Sequence, residues 1–95
     1  MQEVLKALAH PMRRDILAML RTAPRNASEI AAKFDVTKPT VSGHLNILKD
    51  AELIEQVRSG TTLTYHIRLS VLEEALGGLM GMFDIGNETK KMGDE

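Results

Sequence analysis

Apolar residues recur three and four positions apart through roughly the first fifty residues, switch to alternation, and then return to helical spacing. Val4, Leu5 and Leu8 lie on one side of a helix predicted over 2–9. That helix stops at His10-Pro11, because a proline pushes the residue before it out of the helical region. Pro11 suits the first turn of a second helix, where its missing N–H costs nothing, and Ile16, Leu17 and Leu20 give it a core face as far as about Arg21. Residues 22–25 read as a loop. Asn26 and Glu29 form a capping box ahead of a short third helix that buries Ile30, Ala31 and Phe34. Asp35-Val36 makes a turn, and Thr37 caps a fourth helix from about Lys38 to Ala51, with Pro39 in its first turn. Val41, Leu45 and Leu48 recur at i, i+4 and i+7. A helix, a three-residue turn and a second helix is helix-turn-helix spacing.

The texture then changes. Residues 53–58 and 61–68 are rich in β-branched and long side chains, and Leu63, Tyr65 and Ile67 alternate with Thr64, His66 and Arg68. Ser59-Gly60 suits a tight hairpin turn between two strands. A β-hairpin directly after a helix-turn-helix is a wing. Ser70 and Glu73 read as a second capping box, opening a last helix that runs to about Phe83. The fold class is therefore mainly α with a β-hairpin, a winged helix-turn-helix over residues 1–85. Residues 86–95 are polar and aperiodic, which predicts a disordered tail.

Composition narrows the function. The chain of 95 residues is one domain, with a core too small for a complex enzyme. A hydrophobic share of 43% suits a soluble globular protein. No apolar run approaches the roughly 20 residues that span a bilayer, and the start lacks the basic and apolar regions of a signal peptide, so a cytoplasmic location is expected. The absence of cysteine excludes disulfides, thiolate metal sites and a cysteine nucleophile. No nucleophile-base-orienter set, phosphate loop or paired-acid motif is present, so the chain is not expected to be an enzyme. The net charge of −1 looks wrong for binding phosphate until it is divided: residues 1–68 carry ten Lys and Arg against seven Asp and Glu, and residues 69–95 carry two against six. The positive part contains the helix-turn-helix, where local charge governs phosphate contact; taken alone, the division is also what an ordinary solvated surface gives.

The run His10-Pro11-Met12-Arg13-Arg14-Asp15-Ile16-Leu17 resembles the opening of the ArsR-type family, the arsenical-resistance repressors. Residues 37–49, from Thr37-Lys38-Pro39 to Leu48-Lys49, resemble the family's recognition helix, and Arg58-Ser59-Gly60-Thr61 followed by Leu63-Thr64-Tyr65 resembles its wing. The similarity covers residues 2 to about 83 with the elements in matching order. Within the family it resembles the sporulation-delay autorepressor branch, through the Lys-Pro start of the recognition helix. The resemblance implies a homodimeric repressor of double-stranded DNA, released by some signal. In that arrangement the first and last helices of two subunits pack together, and two recognition helices enter successive major grooves roughly 34 Å apart on an inverted repeat.

A helix in the major groove must present short polar or basic groups near its N-terminus. With Val41, Leu45 and Leu48 turned inward, Pro39, Gly43 and Asn46 lie on the outer face, Thr40 and Ser42 at its edges, and Lys38 in the first turn. Thr37, Thr40 and the free N–H groups of that turn suit phosphate, Asn46 suits adenine, and Lys38 suits guanine or phosphate. The resemblance places histidine where Gly43 stands, so one base contact is in doubt. His44 lies nearer the packed flank and is open to either an internal hydrogen bond or a phosphate. On the wing, Arg58, Ser59 and Gly60 can reach the flanking backbone or minor groove.

Leu72, Leu76, Leu79, Met80 and Phe83 form a stripe that, with Leu5 and Leu8 of the first helix, is the expected dimer face. Gly77, Gly78 and Gly81 fit either close helix approach or a fraying helix end. Metal sensing, which the resemblance would suggest, lacks ligands: residues 28–34 hold no thiol, residues 71–83 no histidine, and Glu73 and Glu74 are neighbours rather than an i, i+4 pair. His10, His44 and His66 share no spacing. No metal or other cofactor is expected. The signal is then a sequestering protein, a small-molecule inducer, or concentration alone. The competing reading is a winged-helix module that docks on another protein and needs no DNA. A recognition face with Pro39 as its sole large apolar group argues against that, because such faces usually carry aromatic or aliphatic anchors.

Overall fold

The apolar faces read from the sequence meet in one core, in which Ile16, Ile30, Val41, Leu45, Leu48 and Leu53 are fully buried. The computed structural model describes residues 1–86. Its elements are α1 (Gln2–Leu8), α2 (Pro11–Thr22), β1 (Arg25–Asn26), α3 (Ala27–Phe34), α4 (Lys38–Asp50), β2 (Ile54–Ser59), β3 (Thr62–Ile67) and α5 (Leu69–Met82). The described part of the expected tail is Gly86 alone; residues 87–95 lie outside the described residues. No helix among the described residues is long and apolar enough to cross a membrane.

Caps fix where the helices begin. Asn26 Oδ1 accepts from the Glu29 N–H at 2.8 Å while Glu29 Oε1 accepts from the Asn26 N–H at 2.9 Å, the reciprocal box read from the sequence. Thr37 Oγ1 accepts from the Thr40 N–H at 3.4 Å at the start of α4. His10 also caps: its Nδ1 accepts from the Met12 N–H at 3.1 Å, next to Pro11. The end of α4 is closed by backbone alone. Glu52 takes a left-handed φ of 60°, its N–H donates to the Lys49 carbonyl at 2.8 Å, and the Leu53 N–H donates to that of Leu48 at 3.1 Å. The buried side chains of Leu48 and Leu53 complete this Schellman end and turn the chain into the wing.

Three details differ from the sequence reading. Arg25, expected in a loop, pairs together with the cap residue Asn26 as a short strand, so the hairpin is part of a three-stranded antiparallel sheet in the order β1-β3-β2, with Arg25 opposite Tyr65 and Asn26 opposite Thr64. A two-residue strand has no period to detect; its partner defines it. The hairpin turn is Gly60-Thr61, one residue later than Ser59-Gly60, because Ser59 pairs with Thr62. Gly60 has φ +63° and Thr61 does not share it, the pattern of a type II′ turn, which places glycine first. Finally, Ser70 and Glu73 form no capping box. Helix α5 begins at Leu69 with Arg68 as its N-cap residue and no side-chain cap, because the Arg68 N–H is held by the Leu53 carbonyl at 2.8 Å and its carbonyl accepts from Val71 and Leu72.

Arg13 is the one buried charged residue among the described residues. Its Nε donates to the Ala7 carbonyl and one terminal nitrogen to the Lys6 carbonyl, both at 2.8 Å, so it satisfies carbonyls that the end of α1 leaves open. Replacing Arg13 with Met should keep the volume but strand the buried carbonyl of Ala7. A loss of roughly 2–3 kcal/mol of unfolding free energy is expected by urea denaturation; a loss below about 0.5 kcal/mol would show that water takes over the role.

Candidate nucleic-acid interface

Helix α4 buries Val41, Leu45 and Leu48 and thereby turns Lys38, Pro39, Thr40, Ser42, Gly43 and Asn46 to solvent, all of them exposed. The face read from the sequence is therefore the open face of this helix. Thr37 and Thr40 are exposed at its start, with their hydroxyls 3.0 Å apart. Nothing lies within 4 Å of where a Cβ on Gly43 would stand, so the position is open space. Arg58, Ser59 and Gly60 are exposed at the wing tip. The wing is tied to the end of α4 by a 2.7 Å bond from Lys49 Nζ to Gln56 Oε1.

His44 stands apart from this set. It is half-buried, its ring centroid is 4.5 Å from that of His10, and its Nδ1 lies 3.2 Å from a terminal nitrogen of Arg13. A guanidinium only donates, so Nδ1 must accept, and the ring is the neutral Nε2–H form. Burial lowers the His44 pKa below 6.5, and the charges of His10 and Arg13 lower it further. Of the two alternatives open in the sequence, the structure shows the internal hydrogen bond.

The fold adds residues that the sequence reading did not single out. A polar groove of about 400 Å³ runs between the start of α3, the first turns of α4 and the wing tip, where Ser28, Lys38, Ser42, Thr61 and Thr62 converge. Hydroxyls and an ammonium beside the start of a helix are phosphate-binding material. Of these, Lys38 and Ser42 were read from helical position. Ser28, Thr61 and Thr62 carry no sequence signal of their own, because only the packing of the wing against α3 and α4 collects them.

Helix α5 has no buried residue. Leu72 and Leu79 are half-buried, and Leu76, Met80 and Phe83 are 41%, 43% and 65% exposed. On α1, Leu5 is exposed and Leu8 half-buried. The expected dimer stripe is thus an apolar surface that the single chain leaves uncovered. No group of three or more His, Asp or Glu side chains among the described residues is placed to hold a metal ion.

Comparison with known proteins matches residues 8–57 to a helix-turn-helix domain family. The chain is 37% identical to the transcriptional repressor SdpR of Bacillus subtilis strain 168, over 92% of this chain and 97% of that one. Its fold is similar to that of an ArsR-like transcriptional regulator from Rhodococcus sp. RHA1, with a TM-score of 0.79 at 27% identity over 96% of this chain and 83% of that chain. It is also similar to a homodimeric winged helix-turn-helix DNA-binding domain from Mycobacterium bovis, with a TM-score of 0.68 at 32% identity over 81% of this chain and 77% of that one.

Two measurements check the geometry. A depressed histidine pKa means that the unfolded chain takes up the proton more readily than the folded one, so the contribution of His44 is complete above 6.5 and is lost as pH falls below it. The urea midpoint should therefore drop as the pH falls below 6.5 in the wild type and drop less in His44→Gln; equal slopes would show that His44 is not the group responsible. Gly43→Ala should raise stability by roughly 0.5–1 kcal/mol through helix propensity, since nothing obstructs the added methyl. A destabilised variant would mean that the backbone at Gly43 is not regular helix.

Proposed function

Because this chain belongs to the ArsR-type family of winged helix-turn-helix transcriptional repressors, we propose that it represses transcription as a homodimer bound to an inverted-repeat operator in double-stranded DNA. The observation that carries this reading is the open face of α4 beside the groove shared with the wing, on which every side chain but that of Pro39 is polar or basic and Gly43 has none. In this reading Lys38, Ser42 and Asn46 meet base edges or nearby phosphates, and Thr37, Thr40 and Pro39 seat the first turn of α4 on the backbone. Arg58, Ser59 and Gly60 extend the contact to flanking DNA. His44 supports the helix from behind through Arg13, with only its Nε2–H left for a phosphate. Gly43 offers no side chain to a base, so readout at that position is looser than a longer residue would give.

The dimer uses Leu5 and Leu8 of α1 with Leu72, Leu76, Leu79 and Met80 of α5 and Phe83 just past its end. Support comes from the exposure of these side chains in the single chain and from the homodimeric state of the similar mycobacterial domain. Repression is independent of metal and takes place in the cytoplasm. The inducing signal is a sequestering protein or a small molecule.

Selection of bound sites from random DNA, followed by gel shifts on the selected operator, tests the reading. Lys38→Ala should weaken binding and reduce the slope of log affinity against log salt by about one if its contact is a phosphate. Leu76→Asp should sediment as a monomer and lose operator binding together. Stoichiometric zinc should leave affinity unchanged. Failure to select any sequence, with no shift of random DNA at low salt, would instead favour a protein-docking module.

A further inference from the structure

The root of α5 is hollow. A crevice of about 320 Å³ opens there between α2, β3 and the first turns of α5, walled by Leu8, Leu17, Ala18, Ile67, Leu72 and Leu76. Arg14 and Arg21 also line it, and arginine packs well against an aromatic ring. The far end of the same helix carries the opposite feature. Phe83, just past the end of α5, is exposed, and it continues the row of the exposed Leu76 and Met80 at i, i+4 and i+7. An apolar ring in water and an open apolar crevice each cost free energy that their contact removes. Within one chain they cannot meet: seven helical residues set Phe83 about 10 Å along the axis from Leu76, on the same face of a rod that does not fold back.

A ring and a crevice that fit each other, carried on one surface, are what a two-fold contact needs, because there residue i meets j and j meets i. Given the homodimer reading, on which this rests, we propose that the two α5 helices cross antiparallel with the two-fold axis beside Met80, and that the crevice at the root of each receives Phe83 of the partner subunit. Met80 is the middle of the exposed row, so an axis there sets Leu76 opposite the partner's Phe83 and Met80 opposite its own copy. All three exposed side chains are then covered at once. A parallel pairing would set Phe83 against Phe83 and leave both crevices open to water. The walls belong to α2 and to the wing strand β3 as well as to α5, so the partner's ring bears on elements that flank the recognition helix.

The chain has no cysteine, so introduced thiols report the register directly. Sedimentation of the full chain comes first: a wild type that stays monomeric fails the homodimer reading, and the socket with it. In the dimer, Met80→Cys should cross-link to its own copy on mild oxidation. Leu76→Cys and Phe83→Cys should each remain unlinked alone and form a disulfide-linked heterodimer when mixed. Self-linkage of either one, or no linkage in the mixture, would overturn the register. The socket has a separate test. Phe83→Ala should raise the dimer dissociation constant by roughly a hundredfold, since symmetry removes both rings at once. Ala18→Phe should raise it by about tenfold by filling the crevice from within. Ala18 is exposed and lies outside the apolar rows of α1 and α5, so the fold of the subunit tolerates the longer side chain. A dimer that Ala18→Phe leaves unchanged would hand the crevice to a small apolar ligand and overturn the proposal.

Discussion

A single buried guanidinium sets the relation between the first helix and the recognition helix. Arg13 sits in the first turns of α2, satisfies the carbonyls of Lys6 and Ala7 at the end of α1, and reaches the Nδ1 of His44 in the middle of α4. A charge in a core is tolerated only when its donors are occupied, and here every nitrogen that is accounted for finds an acceptor on another helix. The arrangement also dictates chemistry on the far side: His44 must stay neutral at Nδ1 to accept from Arg13, which agrees in direction with its lowered pKa. Helix α1, a seven-residue segment too short to be stable alone, is held in place by this contact and by the burial of Ala7.

With α4 fixed from behind, its front is free to be read. The inward row of Val41, Leu45 and Leu48 fills the core, and the outward row is small and polar. The Schellman end at Glu52 and Leu53 then sends the chain straight into β2, and the bond from Lys49 to Gln56 braces the wing against the same helix. Recognition helix and wing are therefore positioned by one continuous piece of chain. The groove that gathers Ser28, Lys38, Ser42, Thr61 and Thr62 follows from that geometry.

The other end of the molecule is unfinished as a single chain. Helix α5 buries nothing completely, yet it carries Leu76 and Met80 in the open, with Phe83 exposed at its end. Apolar surface of that kind costs free energy in water and is removed by association. The reading as a homodimer thus links the two ends: in the proposed arrangement one meets DNA, and the other doubles it.

Every helix to within one or two residues, the capping box at Asn26 and Glu29, the Thr37 cap and the outward face of α4 are legible in the amino-acid order alone. Each is a local matter of side-chain period, proline and cap chemistry, written in residues a few positions apart. Features that depend on partners far along the chain were settled by packing. Residues 25–26 become a strand because Tyr65 and Thr64 lie beside them. Arg68 rather than Ser70 precedes α5 because the Leu53 carbonyl holds its N–H, and His44 turns to Arg13 because α2 and α4 cross there. Arg25 lines a crevice that no period in the sequence announces, since α2, β1 and α3 form it together. Local backbone preference fixes elements; which side chains then face one another is settled by packing, and packing needs all of the elements at once.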